Sequence, residues 1–142
     1  MFNKEVWKNG ELLAQNFLKK KGYKIVGTNM KFAGVEVDIV AIAPKRILIK
    51  KLKQEVNNGT LLKSSFAAAK KQQKDTIVFV EVKARSNEKF GLPAEAVKEN
   101  QKQRIRRFAD NFIISEKYKD FPVRFDIVSI LNEKIEHFEG AF

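Results

Sequence analysis

Glu81 and Lys83 stand two residues apart in the stretch Thr76–Arg85, Thr-Ile-Val-Phe-Val-Glu-Val-Lys-Ala-Arg. Ile77–Val80 is a β-branched and aromatic run of strand type. Alternation along a strand puts Glu81 and Lys83 on the side shared by Ile77 and Phe79. A carboxylate and an ammonium at the end of a buried strand are costly unless they pair or bind something. Two readings follow. One is an ion pair at the mouth of a strand, a common structural device. The other is a metal ligand beside a lysine that positions a water or a phosphate.

A second strand-type run, Val35–Ile42, is interrupted by Glu36 and Asp38. Strict alternation assigns Glu36, Asp38, Val40 and Ile42 to one face, and Val35, Val37 and Ile39 to the other. If this strand neighbours Thr76–Arg85, Asp38 comes within reach of Glu81. Two like charges so close repel, and one pKa rises. A divalent cation between them removes that conflict, and hard oxygen ligands suit Mg²⁺ or Mn²⁺. Glu36 is a spare ligand on the same face, and Arg85 could reach a flanking phosphate. A third acid, Glu11, lies at the margin of an apolar helical arc, near Trp7 and Leu18. It either reaches an interior site or is an ordinary solvated glutamate.

The elements that must position these groups are readable in outline. Asn3–Lys21 has helical periodicity, with Val6, Gly10, Leu13 and Phe17 on one stripe and Trp7, Ala14 and Leu18 beside it. Gly22 after a lysine run is a helix stop. Tyr23–Asn29 reads as a short strand and Lys31–Ala33 as a turn. Arg46–Val56 fits strand or helix, Asn57-Asn58-Gly59 is a turn, and Thr60–Lys74 leans helical. Ser86–Leu92 is a loop with a Phe90-Gly91 turn, and Pro93 restarts structure. Asn100–Lys117 is a helix whose stripe is Ile105, Phe108, Ala109, Phe112 and Ile113. Lys102, Arg104 and Arg106 sit in its first half, where cations oppose the macrodipole, so phosphate contact is a better account than helix stability. Val123–Ile130 and Lys134–Phe138 are strands. Asp126 can pair with Arg124 on one face, and His137, the single histidine, reads as structural or exposed.

With 142 residues the chain has the size of one domain. The absence of cysteine excludes disulfides, thiolate zinc sites and thiol nucleophiles. No apolar run reaches the roughly 18 residues of a membrane span, and the start lacks a signal-peptide pattern, so a cytoplasmic protein without membrane contact is expected. The net charge of +11 points to a polyanionic partner, nucleic acid first. Residues 44–74 hold nine lysines and arginines, Lys50 and Lys51 among them, against the single acid Glu55. That stretch is either a basic arm along a phosphate backbone or a solvated lysine-rich insertion.

These residues resemble the YraN-like family of small bacterial proteins, placed in the PD-(D/E)xK nuclease superfamily. The resemblance is carried by Gly10-Glu11 with Ala14 and Leu18, by Gly22-Tyr23, and by Glu36-Val37-Asp38-Ile39-Val40-Ala41. It continues through Val78–Arg85, Phe90-Gly91, Lys102 with Arg104-Ile105, Arg124-Phe125-Asp126 and Ala141-Phe142. Two departures stand out. Val35 occupies the place of the family's glycine before Glu-x-Asp, with Gly34 one position earlier. About thirty residues also replace the family's short hairpin between its central strands.

The resemblance implies an α/β (α+β), restriction-endonuclease-like core. Its mixed central sheet is flanked by helices in the order α-β-β-β-α-β-β, with the lysine-rich insertion (44–74) between the second and third strands. It implies magnesium held by Asp38 and Glu81, completed by Glu11, with Lys83 aiding the attacking water. Apart from the resemblance, charge and position make Arg85, Lys102, Arg104, Arg106, Lys50 and Lys51 the expected nucleic-acid contacts. The expected activity is metal-dependent hydrolysis of DNA phosphodiester bonds, on branched or damaged DNA, by a protein that dimerises as resolvase-like relatives do. The alternative is a nucleic-acid-binding module whose nuclease site is vestigial or partner-dependent. A protein-interaction role for residues 44–74 is a third, weaker option.

Overall fold

The structure is a computed structural model and describes residues 4–72, 75–85, 97–114, 118–132 and 134–142. The expected loop Ser86–Leu92, with Phe90-Gly91 and Pro93, lies outside the described residues. The described elements are α1 (Lys4–Lys20), β1 (Lys24–Phe32), β2 (Val35–Ala43), α2 (Lys45–Asn57), α3 (Lys63–Gln72), β3 (Thr76–Arg85), α4 (Glu99–Ile114), β4 (Val123–Leu131) and β5 (Lys134–Phe138). The strands form one mixed five-stranded sheet in the order β1-β2-β3-β4-β5. Only β3 and β4 run parallel among the paired neighbours. The class is α+β. No helix among the described residues is long and apolar enough to cross a membrane.

Each face of the sheet has its own core. On one side Ala14 and Leu18 of α1 pack with Ile39, Ala41, Val78, Val80, Val82 and Val128. On the other, Ile105, Phe108 and Ala109 of α4 pack with Val37, Val40, Ile77 and Phe79. Phe79 is the centre of that second core, meeting Phe108 and Phe112 edge-on and stacking on Phe125. The buried stripe of α1 is Gly10, Ala14 and Leu18, with Phe17 half-buried. Leu13, expected inside, is 41% exposed, because the helix turns its Glu11 edge toward the sheet.

Local chemistry explains the boundaries. Gly22 (φ +92) ends α1. Its N–H bonds Lys19 O while Tyr23 N–H bonds Leu18 O, a paired stop that satisfies the last carbonyls. The β1–β2 turn is the two-residue loop Ala33-Gly34, both at positive φ, between the paired residues Phe32 and Val35. That geometry matches the twist of the flanking strands. β1 therefore runs three residues beyond the expected Asn29, and the turn falls later than Lys31–Ala33. Residues 45–57 are helical rather than extended. Ile49, Leu52 and Val56 recur at helical spacing and, with Glu55, are half-buried.

The α1 face also contains a charged cluster centred on Asp126, which stands opposite Val80 in the β3–β4 ladder. Asp126 is fully buried and accepts four hydrogen bonds, two from Arg124 (2.8 and 2.8 Å), one from His137 (2.7 Å) and one from Gly140 N–H (3.0 Å). Lys21, an ammonium and hence only a donor, lies 2.7 Å from His137 Nδ1. The imidazole must then carry its proton on Nε2 and donate it to Asp126. Arg124 also reaches the Tyr23 hydroxyl at 2.7 Å. The cluster joins the end of α1, β4 and the C-terminal segment, so His137 is structural, as one of the two expectations had it. Removing one partner of such a set leaves a buried charge unpaired. Asp126→Ala should therefore lower the unfolding free energy by about 3–5 kcal/mol in urea titrations; a loss under 1 kcal/mol would refute the clamp.

Candidate functional site

Hydrogen bonding between β2 and β3 runs from Ala43–Thr76 to Ile39–Val80 and then stops. The next pair would be Asp38 with Glu81. Instead, Val82 N–H donates to the Asp38 side chain, to Oδ2 at 2.8 Å. On its other edge, Asp38 stands opposite Asn29, between the pairs Thr28–Ile39 and Met30–Val37, and Asn29 has a left-handed backbone (φ +47). Regular pairing lapses on both sides of residue 38, and the inside–outside phase of β2 shifts there. Val37 packs with Val40 on the α4 face, while Ile39 faces α1. This corrects the alternation drawn from the sequence, which put Val35 and Val37 on the side of Ile39. The irregularity at Asp38 breaks the period of two on which that assignment rested.

The notch left between the strands collects acids from three elements. Glu11, Asp38 and Glu81 are 6%, 6% and 7% exposed. Glu11 arrives because α1 approaches β3 closely at Gly10, where a Cβ would lie 2.8 Å from Ala84 Cβ. Asn29 donates to Glu11 Oε2 at 3.2 Å. Gln101 of α4 donates to Glu81 Oε1 at 2.8 Å, and Lys83 Nζ lies 3.3 Å from the same oxygen. Each carboxylate thus has at least one oxygen held by the protein. For Glu11 the other oxygen, Oε1, is buried with no hydrogen-bond partner.

The electrostatics follow from this crowding. Burial, then the charge of Glu81, push Asp38 up to about 8 against the lowering effect of the Val82 bond, and Glu11 and a side-chain hydrogen bond with Glu81 add to the rise. Burial also raises Glu11, opposed by the Asn29 bond and assisted by Glu36 and Glu81. Without a cation, Asp38 keeps a proton that an ordinary aspartate would lose.

The other expected site residues divide. Arg85 is half-buried on β3, two residues beyond Lys83. Arg104 and Gln101 line a cleft of about 290 Å³ with Gly34, Val35, Glu36 and Ile105, between the β1–β2 turn and the start of α4. Lys102 is half-buried in the first turns of α4. Arg106 approaches Glu99 (4.0 Å) and lies 5.9 Å from the Phe142 ring centroid. Glu36 is exposed and pairs with Lys31 at 3.7 Å rather than joining the acids. Lys50 and Lys51 lie on α2, beyond the opposite end of the β2–β3 ladder. Sequence reasoning missed Gln101 and Asn29 as partners of the acids. Gln101 heads the sheet-facing stripe Ile105, Phe108, Phe112 at helical spacing, a legible signal for a polar group at the sheet's edge. Asn29 pairs with Asp38 only once the turn is placed at Ala33-Gly34.

The donor set is oxygen only, and Glu11 Oε1 is an orphaned buried acceptor, so these residues suit a hard divalent cation. Among the described residues, no group of three or more acids, histidines or cysteines is arranged so that it could hold a metal ion as it stands.

With that geometry in place, comparison with known proteins is informative. The family described as "Uncharacterised protein family UPF0102" matches residues 10–130. The chain belongs to this family. A UPF0102 protein of Alkaliphilus oremlandii is 34% identical over 146 residues, covering 99% of each chain. Another from Clostridioides difficile is 33% identical over 144 residues, covering all of both. One from Caldanaerobacter subterraneus is 34% identical, covering 98% of this chain and 95% of its own. The matched span contains Asp38, Glu81, Lys83 and Gln101, and Glu11 lies at its beginning.

The two buried aspartates make a prediction of opposite signs. Asp38 is raised when folded, so its contribution is full below pH about 4 and is lost as pH rises toward 8. Asp126 is lowered, because the bonds from His137, Arg124 and Gly140 outweigh burial, so its contribution is lost as pH falls below the ordinary aspartate range. In metal-free buffer, Asp38→Asn should flatten the stability loss between pH 5 and 8. An unchanged slope in urea titrations across that range would contradict the assignment.

Proposed function

We propose that this protein is a metal-dependent nuclease that hydrolyses DNA phosphodiester bonds in the cytoplasm, on branched or damaged substrates, through a PD-(D/E)xK-type site. The observation that carries the reading is the buried meeting of Asp38 and Glu81 where their strands part, with Lys83 on the oxygen of Glu81. Structural carboxylates are normally satisfied as Asp126 is. Asp38 has one backbone donor and a strongly perturbed affinity for its proton, the mark of a group held for use.

In this reading Asp38 and Glu81, with Glu11 completing the set, hold Mg²⁺ or Mn²⁺. The bound cation would neutralise charge at the phosphoryl group and lower the pKa of a water. Lys83 donates to the attacking water or to the phosphoryl oxygens, where charge builds as the bond to the leaving oxygen breaks. Gln101, donating from α4 to Glu81 Oε1, would keep that carboxylate aimed at the cation. Arg85, Lys102 and Arg104 would contact phosphates flanking the cleaved one, and Arg106 would add charge further round α4.

A second reading is a nucleic-acid-binding module with a vestigial or partner-dependent site. It is favoured by Val35, which packs against the α4-side core where the resemblance calls for glycine. It predicts binding without cleavage.

Two measurements separate the readings. Incubation with four-way-junction, flapped and linear DNA in Mg²⁺ or Mn²⁺ should give cleavage by the wild type and none by Asp38→Ala or Lys83→Ala. Residual cutting by pure Asp38→Ala protein would refute the site. In thermal melts, cation at tenfold excess over its Kd should stabilise the wild type by about 1.4 kcal/mol and leave Glu81→Ala unmoved. No shift in wild type at millimolar cation would favour the second reading.

A further inference from the structure

The strongest unexplained feature outside the acid notch is the pair α2–α3. Residues 44–74 carry eight of the eleven net positive charges of the chain. The main packing of α2 is against α3 rather than against the sheet. No described residue of either helix is fully buried; Ile49, Leu52, Val56 and Phe66 are half-buried, and Lys50, Lys51 and Lys53 are exposed.

These charges do not serve the helix. The first turn of α2 has no acid, opens on Lys45-Arg46, and follows Pro44, which makes no side-chain cap. Cations there oppose the helix dipole. Some surface cations elsewhere have carboxylate partners, as in Lys31–Glu36, Lys21–Glu139 and Lys134–Glu136. In α2, Lys45 reaches Asp75 at 3.7 Å, but among the described residues no carboxylate pairs with Lys50, Lys51 or Lys53. Lys50 and Lys53, three apart on a helix, repel each other until an outside anion neutralises them.

We propose that the α2–α3 hairpin grips the phosphate backbone of double-stranded DNA at a distance from the acid notch. The choice of DNA as partner rests on the nuclease reading, but the grip itself is measurable without cleavage. Unpaired lysines at the surface are point charges suited to a regular row of phosphates. An anionic lipid surface would instead demand an exposed apolar face, whereas Ile49, Leu52 and Val56, the described apolar positions of α2, are half-buried.

The fold also sets the distance. The hairpin leaves the sheet at the Ala43–Thr76 pair, five residues along each strand from Asp38 and Glu81. At roughly 3.4 Å per residue that is about 17 Å. Phosphates on one DNA strand follow every ~3.4 Å along the axis, so a grip rooted there is separated from the notch by several phosphates. It therefore adds affinity through flanking duplex and none through the phosphate at the notch.

The test is fluorescence anisotropy of a labelled 30-base-pair duplex between 50 and 200 mM salt, for wild type and for K50Q/K51Q/K53Q, with circular dichroism to check that helix content is kept. Three lost contacts should reduce the slope of log K against log salt by about 2–3. Affinity at low salt should fall at least tenfold, and K50R/K51R/K53R should restore both. An unchanged slope and affinity would overturn the proposal. So would sedimentation with phosphatidylserine vesicles that is lost in the triple glutamine variant while duplex binding is kept. A wild type that shows the slope change but cuts no DNA would refute the nuclease reading and leave the grip standing. Cutting with no slope change would do the reverse.

Discussion

The structure depends on the place where β2 and β3 cease to share backbone hydrogen bonds. A central strand normally keeps its N–H and C=O groups paired along its length, because unpaired buried backbone is costly. Here the Asp38 side chain takes over one of those duties, accepting the Val82 N–H at 2.8 Å. The substitution opens a notch inside an otherwise continuous sheet and leaves the β3–β4 ladder intact behind it, out to Arg85–Leu131. Into that notch Gly10 lets α1 bring Glu11, and α4 brings Gln101. The helices on the two faces meet the same opening from opposite sides.

The two buried aspartates of the sheet show what such a site costs. Asp126 receives four donors, including Nε and one terminal nitrogen of an arginine, and its pKa is lowered despite burial. Asp38 receives one backbone donor and faces two other acids. The first arrangement stabilises the fold by tying α1, β4 and the C-terminal segment together. The second destabilises it unless a proton or a cation intervenes. The same sheet thus satisfies one buried carboxylate fully and leaves another facing repulsion, the contrast on which the proposed role of Asp38 rests.

Much of this was legible in the residues. Asp38, Glu81 and Lys83 interrupt strand-type runs, so their burial and proximity followed from pattern and charge. The side each acid takes did not follow. Alternation holds only while the ladder is regular, and the left-handed Asn29 opposite Asp38 marks where it fails. Glu11 was equally readable as buried or solvated, because a helix margin does not reveal how close its neighbour comes; that depends on Gly10 against Ala84. Arg124 was found as a partner for Asp126 from spacing along one strand. His137 and Gly140 were not, since they approach from β5 and the residues after it. Arg106 was grouped with Arg104 by sequence, yet it lies over the ring of Phe142, a neighbour supplied by the far end of the chain.

The account's central claim is that acids from separate strands share one cation-sized place. The most direct measurement is an anomalous-difference map from crystals soaked in Mn²⁺. The account predicts one dominant peak within about 2.0–2.3 Å of carboxylate oxygens from both Asp38 and Glu81. A map with no peak there at saturating Mn²⁺, or one in which the ion touches only one of the two, would contradict it.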